Sequence, residues 1–311
     1  MVSATTSRPV SKTRARDRAA PPPLERPGVA WAVPGLLFFL VFAVAPMVGV
    51  LYLSLTHWDG LNTPQFTGLD NWSRFFGDRQ VRESTLATGF LLVGNIAVQA
   101  PISILLGVWA AGNQRNRAVL SAIFFLPLLL STAATAIMWR QLLDPNFGLP
   151  SKFDWLFGSS NPLGTQQGAI ACLVLVTSWQ FIPFHSLLYQ GAARSIPHTL
   201  YQAAAIDGAG RVPQFVHITL PQLRNTIITS TTFMVIGGLT AFDIVLLLTN
   251  GGPGTDTSIL PFSMYQTAFR TYDYGYASAI ASFLLLLATG ASVLLTKLSG
   301  YDKMTSTLEG L

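Results

Sequence analysis

The sequence predicts an all-α polytopic membrane protein with six transmembrane helices, and three observations carry that prediction. Half of its 311 residues are hydrophobic and only 11% are charged, where a soluble domain carries about 25% charged residues. The 19 Lys and Arg and the 14 Asp and Glu are confined to a few stretches, which leaves long uncharged runs. Six of those runs have the length to span about 30 Å of hydrocarbon, which takes roughly 20 helical residues.

Residues 1–27 come first, rich in Arg, Pro, Ala, Ser and Thr and without apolar periodicity. Such a stretch buries too little surface to offset the entropy of ordering, so it reads as a disordered basic tail. The first apolar run, about 29–55, is much longer than the apolar core of a secretory signal. Its one small-x-small site, Ala43-Val44-Ala45, is followed by Pro46, which disfavours cleavage. It reads as an uncleaved first span. The second, about 87–111, is interrupted by Asn95, Gln99 and Pro101. Neighbouring helices satisfy such groups, so the spans are expected to form a bundle with polar faces inward. The remaining spans are expected at about 118–139, 168–190, 226–248 and 275–297, followed by a C-terminal tail over 301–311.

Basic residues set the orientation. With the N-terminus inside, thirteen fall in inner segments and six in outer ones. The positive-inside rule then puts both termini in the cytoplasm, with the tail carrying most of the bias. Outer loops follow at about 56–86, 140–167 and 249–274, and the long inner segment at about 191–225. Phe66 to Trp72 and Asp144 to Gly148 are turn-forming clusters in the outer loops.

Several function classes are disfavoured. The basic residues are dispersed around the spans, which argues against a nucleic-acid-binding face. The lone Cys172 forbids an intrachain disulfide, and the four histidines are scattered, so no metal pattern exists. There is no H-E-x-x-H, no G-x-S-x-G and no P-loop. Gly251-Gly252-Pro253-Gly254 lacks a following Lys-Ser/Thr and reads as a turn. The chain therefore binds no nucleotide or other cofactor of its own by this reading, and it is not an enzyme.

Three features remain. Asp243 is the one acid within an apolar span, which makes it either functional or satisfied by local donors. The fourth span gathers Ser178, Trp179, Gln180, Phe181, Phe184 and His185. Aromatic faces with amides suit a sugar ring, and an aromatic belt with helix–helix contacts explains them equally. The inner segment reads as a helix–turn–helix. Pro197 suits a first turn and Gly208 a C-terminal cap. A second short helix from Arg211 presents Phe215 and Ile218 and is expected to stop before Pro221. Such a unit is either a docking element for another surface or an amphipathic helix on headgroups.

Gln202-Ala203-Ala204-x-x-Asp207-Gly208-Ala209, followed by Phe215, Ile218, Leu220 and Pro221, resembles the EAA loop of ABC importer permeases. Phe66-x-Gly68-Leu69-Asp70-Asn71-Trp72, Phe125-x-Pro127, Ser195-Ile196-Pro197 and Leu248-Thr249-x-Gly251-Gly252-Pro253, with Tyr265, Phe269, Tyr274-Gly275 and Ala277 beyond, look like maltose- and glycerol-phosphate-type permeases. The resemblance covers about 28–300. It implies a type I ABC importer permease fold and a membrane subunit for a di- or oligosaccharide. It also implies a coupling loop over 195–223 that docks on a separate ATPase dimer, which would hold ATP and Mg. An extracytoplasmic solute-binding protein and a second permease complete the implied complex in the lipid bilayer of the plasma or inner membrane. The family places a Glu where this chain has Gln202. A neutral amide gives a bond about half as strong as a charge-assisted one, so a heterodimer whose other permease carries the acid is inferred. In that family, the helices before and after the loop line the substrate cavity, which points again to Ser178, Gln180, Phe181 and Phe184. A secondary transporter or channel for a small polar solute is the alternative, as is a membrane-embedded enzyme. Neither the repeat symmetry nor the charge chains of the former is clear here, and the clustered acids and histidines of the latter are absent.

Overall fold

The computed structural model describes residues 29–112, 122–153 and 161–299. The tails expected at 1–27 and 301–311 lie outside the described residues, as does the start of the third expected span. The chain divides into two compact units between Pro46 and Met47.

In the first unit a 3-10 turn, Val29–Ala32, leads into helix, with Pro at the first turn where its missing N–H costs nothing. A π turn over Leu40–Val44 interrupts the α geometry. The apolar side chains from Trp31 to Phe42 are all exposed, and Phe38 packs on Phe42 at 4.7 Å. The helical run Val33–Leu53, α1, is long and apolar enough to cross a membrane.

The second unit begins with the end of that run. A two-residue hairpin follows, β1 (Thr56–His57) against β2 (Gln65–Phe66), then α2 (Asp70–Gly77) and α3 (Arg79–Ala110). Asn71 explains why the Phe66 to Trp72 stretch is compact: its Nδ2 donates to the Ser54 and Thr56 carbonyls, at 3.1 and 2.8 Å. Between the strands, Asp59 accepts from the Leu61 and Asn62 backbone amides and from Asn62 Nδ2. Those bonds stabilise the carboxylate and hold its pKa at about 2, below the ordinary 3.8. The folded value is depressed, so the turn is fully stabilised above pH 3.8 and loses that support as pH falls through about 2. Hydrogen-exchange protection of the Leu61 and Asn62 amides is expected to hold to about pH 3 and collapse below pH 2.

Helix α3 starts eight residues before the expected span, because Asp78 caps it by accepting from the Gln80 amide. It packs most closely on α5 (Gln166–Arg194), capped by Thr165. The third expected span, 118–139, is not one helix over its described residues. A 3-10 turn at Leu126–Leu129 gives way to extended backbone at Leu130, and α4 (Thr132–Leu142) starts anew with Ser131 as its cap. Gln180 of α5 donates to the Leu130 carbonyl freed by this break, at 3.0 Å.

After α5 come α6 (His198–Ile206) and α7 (Arg211–Gln214), and then α8 (Arg224–Leu239). The fifth expected span, 226–248, is bent rather than straight: α8 and α9 (Phe242–Thr249) meet at 46°. Thr240 ends α8, and the Phe242 amide donates to the Thr240 carbonyl at 2.7 Å in a tight turn. Finally α10 (Leu260–Phe269) and α11 (Tyr274–Ser299) pack on each other, and α11 also packs on α8. Among the described residues four helices are long and apolar enough to cross a membrane, and five if the bent pair is one span.

One core joins α3, α4, α5 and α9 through Leu91, Ala136, Leu173, Val176, Ile244 and Val245. A second joins α2, α3, α10 and α11 through Phe75, Val81, Leu260, Tyr276 and Ile280. Between them α3 buries a polar line, Ser84, Thr88, Asn95, Gln99 and Ser103, spaced to fall on one side of the helix. Ser84 shares a bond with Ser263, Thr88 accepts from the Leu260 amide, Asn95 accepts from Thr177 and Ser103 donates to the Ile182 carbonyl. Asn95 and Ser103 thus bind α3 to α5, and Ser84 and Thr88 bind it to α10.

Candidate functional site

A cavity of about 450 Å³ opens within the second unit, between α3, α5, α8 and the bend into α9. Asn95 and Gln99 reach it from α3, Thr177, Phe181, Phe184 and His185 from α5, and Phe233 and Gly237 from α8. Thr240, Phe242 and Asp243 close it from the bend. Helix phase decides which α5 residues take part. Positions 177, 181, 184 and 185 fall at i, i+4, i+7 and i+8, on one face.

The expected pathway residues therefore separate. Phe181 and Phe184 line the cavity half-buried, and Phe184 meets Phe233 edge-on at 5.9 Å. Asp243 is exposed at its edge, on the first turn after the bend. Ser178, Trp179 and Gln180 lie outside the lining. Ser178 is buried, Gln180 holds the broken α4 segment, and Trp179 meets Trp139 edge-on at 5.6 Å. Trp179 instead borders an apolar hollow with Phe124, Leu126, Pro127 and Leu130. Sequence reasoning missed Asn95, Gln99 and Thr177 as lining residues. Their signal was present as polar interruptions of a span, without the neighbour that shows where they point.

The lining combines the amides of Asn95 and Gln99 and threonine hydroxyls with four phenylalanine rings. His185 adds an imidazole whose Nδ1 shares a bond with buried Ser230 of α8 at 2.9 Å. That bond ties the two cavity walls together. An amide and hydroxyl set beside aromatic faces can hydrogen-bond a polyhydroxylated ligand and stack on its C–H face.

The second candidate region is the segment that links those two walls. Helix α6 follows α5 across Ser195, Ile196 and Pro197. It ends in a Schellman motif: the Gly208 amide donates to Ala205 O at 3.1 Å and the Ala209 amide to Ala204 O at 2.8 Å. Gly208 takes the left-handed conformation this cap needs, with φ +79°. Gln202, Ala203, Asp207 and Gly208 are exposed, while Ala204, Ala209 and Phe215 are half-buried. Tyr201 bonds Thr219 at 3.0 Å and Gln214 donates to the Ala209 carbonyl at 2.8 Å, which folds the two arms together. The Gln202 amide has no partner among the described residues.

One expectation is corrected here. The second arm does not stop before Pro221. It widens into a π turn over Phe215–Thr219, where the Leu220 amide donates to Phe215 O, and continues through Leu220–Gln222. The π turn shifts the hydrogen-bond register, so Pro221 enters as the first turn of a new helical segment rather than as an interior residue.

Residues 103–299 match the family model described as binding-protein-dependent transport system inner membrane component. The multiple sugar-binding transport system permease protein MsmF of Streptococcus mutans is 33% identical over 88% of this chain and 94% of its own length. The trehalose/maltose transport system permease protein MalF of Thermococcus litoralis is 31% identical over 89% and 94%. A chain in the crystal structure of a bacterial alginate ABC transporter, in complex with an alginate pentasaccharide-bound periplasmic protein, superposes with a TM-score of 0.77 at 23% identity, over 89% of this chain and 94% of that one. That last likeness speaks for the fold alone. Taken with the helical body and its cavity, these matches establish that the chain belongs to the family of binding-protein-dependent transport system inner membrane components.

Proposed function

We propose that this chain is the membrane-spanning subunit of an ATP-driven importer and forms half of the translocation pathway for a carbohydrate, with a di- or oligosaccharide as substrate. The observation that carries this reading is the cavity, where Asn95, Gln99 and Thr177 face the rings of Phe181, Phe184, Phe233 and Phe242. The relatives named for sugar transport support the substrate class. The full fold is read as six spans of the type I importer permease with both termini cytoplasmic. The broken α4 segment and the bent α8–α9 pair complete the set of six.

Coupling follows from connectivity. The segment 195–223 joins α5 to α8, and those helices form two walls of the cavity. A partner ATPase dimer, which would bind ATP and Mg, docks on the exposed face of α6. Its closure moves α6, and the compact fold of the two arms passes that displacement to both walls. A solute-binding protein delivers the sugar from the other side, and a second, different permease supplies the remaining half of the pathway. Gln202 offers that ATPase a neutral amide, so the acidic counterpart is assigned to the partner permease.

The test is uptake of labelled oligosaccharides by cells carrying this chain with its partner permease, ATPase and binding protein. Phe181→Ala is expected to lower uptake roughly fivefold through loss of one stacking face worth about 1 kcal/mol. Trp179→Phe, outside the cavity, is expected to leave the KM unchanged. Uptake that survives ATP depletion but fails on collapse of the membrane potential would identify a secondary transporter instead.

A further inference from the structure

Helix α2 has eight residues and three distinct faces. At 100° per residue, Asn71 and Phe75 share the buried face. Asn71 is bonded to the Ser54 and Thr56 carbonyls, and Phe75 packs in the core with Val81, Leu260 and Ile280 and meets the Phe283 ring at 4.7 Å. Asp70 and Arg74, one turn apart, form an exposed polar face. Arg74 pairs with Asp273 at 2.6 Å and lies over the Tyr276 ring at 3.8 Å. The third face is apolar and open. Leu69, Trp72 and Phe76 fall at i, i+3 and i+7, with Leu69 69% and Phe76 75% exposed and Trp72 half-buried.

A water-facing helix would not present an open apolar line beside a polar one. The level of α2 in the molecule accounts for it. Trp72 Nε1 donates to Ser54 Oγ, immediately beyond the end of α1, and Asp78 leads directly from α2 into the cap of α3. Phe283, which Phe75 touches, lies in the third turn of α11. The helix thus sits where the membrane-long helices emerge. The helix that follows, α3, carries an open line of its own. On α3 the exposed Arg82, Leu86, Phe90 and Val93 form one stripe, with the cation at its top and apolar side chains below. That order, cation then hydrocarbon, is the order of headgroup and acyl chain.

We infer that α2 is an in-plane interfacial helix, with Leu69, Trp72 and Phe76 set into the boundary between headgroups and acyl chains and with Asp70 and Arg74 facing water. The partner is the lipid surface of the leaflet at this end of the molecule. An apolar face so placed enters the boundary by about 5–10 Å. Trp72 is the side chain suited to that depth, with an apolar ring and a polar N–H that is already bonded. The Arg74–Asp273 pair and the Asn71 bonds fix the roll of the helix, so the open face cannot rotate into water.

The experiment uses the full chain in its assembled transporter, reconstituted in phospholipid vesicles, with buried Cys172 replaced by alanine. Single cysteines at Leu69, Asp70, Ser73 and Phe76 carry a nitroxide, and its collisions with oxygen and with a water-soluble nickel chelate are measured. Positions 69, 73 and 76 are expected to give an oxygen-to-nickel ratio several-fold above that at 70. Ser73 is exposed and lies one turn from both Leu69 and Phe76, and Ser73→Cys removes no apolar side chain, so it reads the boundary even where Phe76→Cys fails to assemble. Nickel access at 69, 73 and 76 that is lost on adding the solute-binding protein would overturn the inference and assign the face to that protein. Equal inaccessibility to both reagents would overturn it as well, by placing the face against another subunit.

Discussion

Replacing Gly208 by valine is expected to reduce uptake to background while the chain still reaches the membrane. Gly208 holds φ +79°, and a Cβ built on it meets nothing within 4 Å. The penalty is thus conformational rather than steric, about 1–2 kcal/mol for the left-handed region and more for a β-branched residue. The Schellman bonds to Ala205 and Ala204 would be lost, and the last turn of α6 would fray. The body of the molecule, which shares no core with this cap, would stay folded. Asparagine tolerates the left-handed conformation, so Gly208→Asn is expected to keep most of the uptake. The readouts are transport and stimulation of ATP hydrolysis by loaded binding protein. Unchanged transport in Gly208→Val would remove the coupling role of the loop.

Gly107→Val is expected to act on the opposite end of the problem and prevent assembly of the body. A Cβ at Gly107 would stand 2.6 Å from Tyr189 Cβ and 2.7 Å from the Ser186 carbonyl oxygen. Neither atom sits at the end of a flexible chain, so α3 and α5 must separate. The Ser103–Ile182 bond on one side and the Gln190–Ala110 bond on the other would both lengthen. Overpacking of this kind costs about 1–3 kcal/mol and sometimes more, here at the most extensive helix pair. Little folded chain should be recovered from detergent extracts, and its melting temperature should fall. Gly89→Ala beside Gly107→Ala is the matched comparison: nothing lies within 4 Å of a Cβ at Gly89, so that variant should melt no lower than the parent.

The sequence made the long helices legible because length and hydropathy are local properties. Α-helical runs α3, α5 and α11 appear where the apolar runs are. The breaks were harder to read. Ser131 caps α4 and Pro127 opens the 3-10 turn before it, but what stabilises the break is Gln180, fifty residues on from Leu130 and bonded to its carbonyl. The bend at Thr240 and Ala241 has no proline to announce it. The start of α3 was hidden by Arg79, Arg82 and Glu83, which look like loop residues yet form its first turns. For the cavity, residue type was readable and direction was not. Ser178, Gln180 and Phe181 are consecutive in kind but not in phase, and only Phe181 reaches the space. The cap of α6 was the most legible element, since Asp207-Gly208 at a helix end has one common solution.

The buried polar line of α3 also bears on how the chain is assembled during synthesis. A helix carrying Ser84, Thr88, Asn95, Gln99 and Ser103 on one side is poorly suited to wait alone among acyl chains. Its partners, Thr177 and Ile182 on α5 and Leu260 and Ser263 on α10, are made about 80 and 180 residues later. Until they emerge, α3 must be sheltered by the insertion machinery or by water drawn to its polar edge. Its final seating is therefore a late event, and truncating the chain before α10 would leave an early helix, not only a late one, exposed to quality control.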